Sequence, residues 1–120
     1  MKYNLLQDKV YKFAIKAVKL HIHLYKNRKE VIEISRQFLR SSTSIGANLE
    51  EAIGAVSRKE FLQKLGICYK EARETLYWVN LMKDTDIIKK EIAEVLNRDI
   101  VEIVKIITKI QKTTKVSSNL

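Results

Sequence analysis

Between Asn4 and Lys26 the apolar residues recur in two separate rows. Leu6, Val10, Phe13, Ala17, Leu20 and Leu24 stand 4, 3, 4, 3 and 4 positions apart, the rhythm of one face of an α-helix. Tyr11, Ile15, Val18, Ile22 and Tyr25 repeat that rhythm at 4, 3, 4 and 3. At about 100° per residue the two rows lie on nearly opposite sides of the same helix. No helix of a small four-helix bundle can bury both, so the second row predicts an oligomer interface with another copy of the chain. The alternative is a monomer on which Tyr11 and Tyr25 stay half-exposed.

The remainder of the chain carries three more helical patterns. A polar step at Asn27 to Lys29 marks the first turn, and Glu30 suits the start of a second helix. That helix places Val31, Ile34, Phe38, Ile45, Leu49, Ala52 and Val56 on its core side. Ser57 followed by Glu60 reads as a capping box that opens a third helix. Its seam is Leu62, Leu65, Tyr69, Ala72, Leu76 and Val79, and Glu60/Lys64 and Lys70/Glu74 are placed for i,i+4 ion pairs. Asp84-Thr85-Asp86 ends the third helix and can cap a fourth, whose core side is Ile92, Leu96, Ile100, Ile103, Ile107 and Ile110. The expected helices are about 4–26, 30–55, 58–83 and 87–112, with a frayed tail at 113–120. Their similar lengths and short turns predict one all-α domain over 1–120, an antiparallel up-down-up-down four-helix bundle.

Composition agrees with long helices, since proline is absent and there are three glycines. No apolar run approaches the roughly 18 residues of a membrane span, and a cytoplasmic protein is expected. The lone Cys68 can form neither an internal disulfide nor a thiolate cage, and is expected as a small core residue. The run Ser41 to Glu51 is the most unusual stretch, nearly without side-chain bulk inside a helix. Ser42, Gly46 and Ala47 are read there as a close-packing surface, with Asn48 as a buried hydrogen-bonding residue that fixes helix register. Gly46 costs a helix interior about 1 kcal/mol relative to Ala, which a close helix contact can offset.

Charge adds one candidate ligand. The net charge is +9, and residues 1 to 29 hold eight basic residues against one acid. Lys9, Lys12, Lys16, Lys19, His23 and Lys26 form a row at 3 and 4 spacings along the first helix, about 26 Å long at 1.5 Å per residue. Such a row matches successive phosphates of RNA or DNA and would give affinity with little sequence preference. A solvated lysine face is the plainer alternative.

Other chemistry finds little support. His21 and His23 are two apart, whereas paired helical metal ligands need three or four. Neither follows a Glu-x-x-His pattern, so no metal or other cofactor is expected. Ser42, Thr43 and Ser44 have no neighbouring base and read as packing hydroxyls bonded to backbone carbonyls. Glu50, Glu51, Glu71 and Glu74 read as ion-pair partners. His21 is expected at the surface, and no catalytic residue is assigned.

Three segments nevertheless carry a resemblance. Ser44-Ile45-Gly46-Ala47-Asn48-Leu49-Glu50-Glu51, Ser57-Arg58-Lys59-Glu60-Phe61 and Lys70-Glu71-Ala72-Arg73-Glu74-Thr75-Leu76-Tyr77-Trp78 resemble the bacterial four-helix-bundle family of 23S rRNA intervening-sequence proteins. The resemblance covers about residues 36–82 well and the outer helices by pattern. It implies a homo-oligomeric ring, typically a pentamer, and a fold similar to the basic, nucleic-acid-binding accessory protein of diversity-generating retroelements, which also binds a protein partner. Glu50 stands where that family usually has Ala, and Ala52 where it usually has Gly. Asn27-Arg28-Lys29 replaces its Phe-Pro step. The expected function is a non-enzymatic homo-oligomer that binds RNA or DNA backbone, with a structural or protein-interaction scaffold as the alternative.

Overall fold

The computed structural model describes residues 3–118. Four helices account for nearly all of them: α1 (Asn4–Asn27), α2 (Ile32–Ile53), α3 (Arg58–Asp84) and α4 (Lys90–Ser118), with a 3-10 turn at Lys29–Val31 between α1 and α2. Side-chain contacts fix their directions. Gln7 meets Glu50 and His21 meets Ser35, while Ser41 meets Thr75 and Glu51 meets Lys64. Asn80 meets Asn97, and Lys9 and Lys16 meet Glu102 and Asp99. As one number rises its partner's falls, so each helix runs antiparallel to the next and α4 closes against α1. The result is the up-down-up-down four-helix bundle expected of the sequence, a rod of 53 × 22 × 21 Å.

The core joins one face of every helix. Leu6, Val10, Phe13, Ala17 and Leu24 of α1 are all buried, as their spacing predicts. On α3 the buried row is Leu65, Cys68, Ala72, Thr75, Val79 and Met82, whereas Leu62, Tyr69 and Leu76 are only half-buried. The core edge of α3 is thus turned toward small residues, because the facing stretch of α2 buries Ser41 and Ser42 and brings the two helices close. Val56, expected in the core, is 93% exposed because α2 stops at Ile53, before Gly54. Ile92 is also exposed, since it lies in the opening between α1 and α4.

The turns follow local chemistry. Ser57 Oγ accepts from the Glu60 backbone N–H at 3.0 Å, while the Glu60 carboxylate accepts from Val56 N at 3.4 Å. The capping box therefore forms, with its second bond one residue earlier than in the usual pattern. At the end of α3, Ile87 N donates to Met82 O at 2.8 Å and Asp86 N to Lys83 O at 3.2 Å. This is a Schellman closure, with Asp86 at φ 59° in the left-handed place usually held by glycine. Ile87 and Ile88 are used to wrap α3, so α4 starts at Lys90 and Asp86 does not cap it. At its other end α4 runs through Thr113 to Ser118 where a frayed tail was expected, since no proline or glycine interrupts it. The last two residues of that expected tail lie outside the described residues.

Candidate functional site

The outer face of α1 carries the second apolar row. Tyr11 is 71% exposed, Ile15 and Val18 40%, Ile22 47% and Tyr25 51%. The row covers most of the helix's length and is buried by no other part of the chain. Beside it a shallow groove of about 240 Å³ runs between α1 and α2, floored by Ala14, Thr43, Gly46 and Ala47. The groove exists because α2 is small here. A Cβ on Gly46 would lie 3.3 Å from Val10 Cγ1, so α1 and α2 already touch at that point. Ridge and groove together form one continuous, largely apolar surface on α1 and α2 that stays open to solvent.

The lysine row lies between this ridge and α4, and α4 partly neutralises it. Lys9 Nζ pairs with Glu102 at 2.8 Å and Lys16 Nζ with Asp99 at 2.6 Å, while Lys12 pairs with Asp8 of its own helix at 2.9 Å. The hydrogen bond to Glu102 raises the Lys9 pKa, and the same bond lowers that of Glu102. Lys19 and Lys26 are exposed and have no carboxylate within ion-pair distance among the described residues. His23 Nδ1 lies 3.2 Å from Asn27 Nδ2. The six residues do share one face, but half of the row is spent within the chain. Asp99 and Glu102 were visible as acids three apart, yet only the register between α1 and α4 shows what they face.

The small-residue stretch of α2 divides in two. Ser42 is fully buried, with no hydrogen-bond partner for its Oγ among the described residues, and Gly46 packs on Val10. Ala47 is exposed, so the close packing expected of it is not met within the bundle. Asn48 is half-buried and donates to Ser44 O and Ser44 Oγ at 2.9 Å each. It therefore stays within α2 and does not set register between helices. Polar links between helices come from residues the sequence did not single out for that role. His21 is half-buried, not on the surface, with Nδ1 2.8 Å from the buried Ser35 Oγ. Thr75 Oγ1 lies 2.8 Å from Ser41 Oγ and equally close to Glu71 O.

Across α2 and α3, Arg40 pairs with both Glu71 and Glu74. Trp78 Nε1 donates to Glu74 at 2.9 Å, and this bond, with Arg40 behind it, holds the Glu74 carboxyl below its usual range. Glu74 is thereby taken from Lys70, and Lys64 pairs with Glu51 at 2.9 Å, so neither expected i,i+4 pair of α3 forms. Cys68 is buried, its Sγ 3.4 Å from Ile45 O, and burial pushes its thiol up to about 12. Of Ser42, Thr43 and Ser44, Thr43 alone donates to backbone carbonyls of its own helix among the described residues, as helical packing hydroxyls do. Ser42 Oγ has no partner there and Ser44 Oγ accepts from Asn48, while Ser41, not expected to, donates to Phe38 O. Among the described residues no three His, Cys, Asp or Glu side chains gather to hold a metal ion. No described helix is long and apolar enough to cross a membrane.

This architecture has known counterparts. Residues 6–109 match the family model of the 23S rRNA-intervening sequence protein. The chain belongs to that family. A crystal structure of a protein of unknown function from the S23 ribosomal protein family of Bacteroides thetaiotaomicron is similar over 89% of this chain and 98% of that one, at 45% identity and a TM-score of 0.86. No curated protein matches. The match extends the resemblance seen in α2 and α3 across α1 and most of α4.

Proposed function

We propose that this member of the 23S rRNA-intervening sequence protein family is a non-catalytic, cytoplasmic homo-oligomer that holds RNA or DNA by its backbone. One observation carries the self-association: the exposed row Tyr11, Ile15, Val18, Ile22 and Tyr25, beside a groove of small residues. Covering five such side chains removes apolar surface from water at about 25 cal/mol per Å². The resemblance to ring-forming family members supports five subunits. Light scattering tests assembly directly. The wild type is expected to be oligomeric and Ile15→Glu with Ile22→Glu monomeric; a wild-type monomer at roughly tens of micromolar defeats the reading.

The nucleic-acid half rests on the net charge of +9 and on cations left without carboxylate partners, Lys19 and Lys26 among them. The logarithm of an affinity of this kind falls linearly with the logarithm of salt. The pairing of Lys9 with Glu102 and of Lys16 with Asp99 favours a second reading, in which the assembly is a structural scaffold for a protein partner. A filter-binding titration separates the two. Binding at low salt that falls steeply as salt rises supports the first, and no binding at low salt leaves only the second.

A further inference from the structure

The cations of α3 are arranged differently from those of α1. Lys59, Gln63, Gly66, Lys70, Arg73 and Tyr77 follow one another at 4, 3, 4, 3 and 4 positions and share the outer stripe of α3. Lys59, Lys70, Arg73 and Tyr77 are all exposed. Among the described residues none of the three cations has a carboxylate within ion-pair distance. Three acids of α3 are occupied elsewhere. Glu60 turns back to the N-terminus of the helix, and Glu71 and Glu74 face α2, where they hold Arg40.

The rest of the stripe suits a polyanion as well. The Arg73 guanidinium sits 5.9 Å from the Tyr69 ring centre, a cation–π contact that leaves its N–H donors unspent. A Cβ at Gly66 would meet nothing within 4 Å, so the stripe is open at its middle. Tyr77 is 60% exposed, and its ring is steadied edge-on by Trp78 at 5.0 Å and 77°. Over the length of α3 the stripe spans about 27 Å. Cations in line with an exposed ring are the two elements of a single-strand platform: phosphates are held electrostatically and a base stacks on the aromatic face. A duplex keeps its bases stacked on one another and offers none to the ring.

We propose that the outer stripe of α3 is the contact surface for single-stranded nucleic acid, with Lys59, Lys70 and Arg73 on phosphates and Tyr77 stacking a base. The assignment rests on the nucleic-acid reading given above and moves its main contact from α1 to α3. The test uses the full chain, a short fluorescent oligo-uridine strand and a duplex of the same length. The wild type is expected to prefer the single strand. K59Q/K70Q/R73Q should weaken that binding at least ~10-fold and flatten its salt slope by about 2, at ~0.7 per lost phosphate contact. Y77A should weaken it by about 5- to 100-fold, and Y77F should not. K12Q/K19Q/K26Q on α1 should have the smaller effect.

The outcomes are separable. Wild type that binds neither probe at low salt defeats the nucleic-acid reading itself. Wild type that binds while the α3 triple variant or Y77A binds equally well overturns only the α3 assignment. A preference for duplex, loss confined to the α1 variant, or equal displacement by poly-glutamate, as expected of a site for an acidic protein, overturns it too. All substituted side chains are exposed, and an unchanged helical circular dichroism spectrum checks that each variant is folded.

Discussion

The interface between α2 and α3 and the interface between α1 and α4 are built on opposite plans. Between α2 and α3 the buried residues are small: Ser41, Ser42, Cys68, Ala72 and Thr75 are all fully enclosed. The helices approach closely enough for Thr75 to meet Ser41 and for the Cys68 thiol to reach the Ile45 carbonyl. Between α1 and α4 the gap is open. Clefts of about 390 and 170 Å³ lie along it, one of about 1040 Å³ opens at its end against the turn between α3 and α4, and Lys9 and Lys16 reach across to Glu102 and Asp99. Dispersion falls off steeply with distance, so small residues in contact bind two helices more firmly than long side chains that span a gap. Exposed ion pairs add little. Helix α1, with an open side toward α4 and an apolar outer row, therefore keeps two of its sides incompletely covered in the isolated chain.

The contrast can be broken experimentally. Phe38 of α2 is fully buried and packs edge-on against Phe13 at 6.5 Å. Phe38→Ala is expected to cost about 3–5 kcal/mol in chemical denaturation, and a loss under about 1 kcal/mol would show that the core on the α2 side is not the stronger one. Gly46→Leu puts bulk where a Cβ already meets Val10, at an expected cost of about 1–3 kcal/mol and a change in oligomer mass. Unchanged melting with unchanged mass would contradict the close-packing role.

Glu74 sharpens the comparison through pH. Its carboxyl is held below the ordinary value of 4.5 in the fold by Trp78 and then Arg40. The stability it contributes is present above that value and is lost as pH falls through the lower folded one. Thermal melts of Glu74→Gln should fall below wild type near neutral pH and converge with it in acid. A constant difference across that range would mean that the charge plays no part. The smallest effect belongs to the open interface. Lys16→Gln should cost less than about 1 kcal/mol, and a larger loss would show that the ion pairs, not the packing, hold α1 to α4.

Much of this was legible in the sequence where one helix decides by itself. Both rows of α1 could be read because period and residue type agree over the helix's whole length. The boundary at Ile87 could not, since two isoleucines that pattern as helix serve the closure of α3. The core edge of α3 was misjudged by one position at two places, as size suggested Tyr69 and Leu76, while contact with α2 selected Cys68 and Thr75. Links such as Lys9 to Glu102 and His21 to Ser35 depend on the register between helices, which no single helix records. The same cause hid the contrast between the cation rows: only the placement of α4 and Arg40 shows which lysines are left unpaired.

The lone thiol gives the tight interface its own clock. With a pKa of about 12 and no exposure, folded Cys68 presents almost no thiolate to an alkylating reagent at neutral pH. Modification must wait until α2 and α3 part. Its rate therefore reports how often that pair of helices breathes, without any label being introduced. Alkylation should be slow in the native protein and fast in denaturant, and it should accelerate in Phe38→Ala much more than in Lys16→Gln.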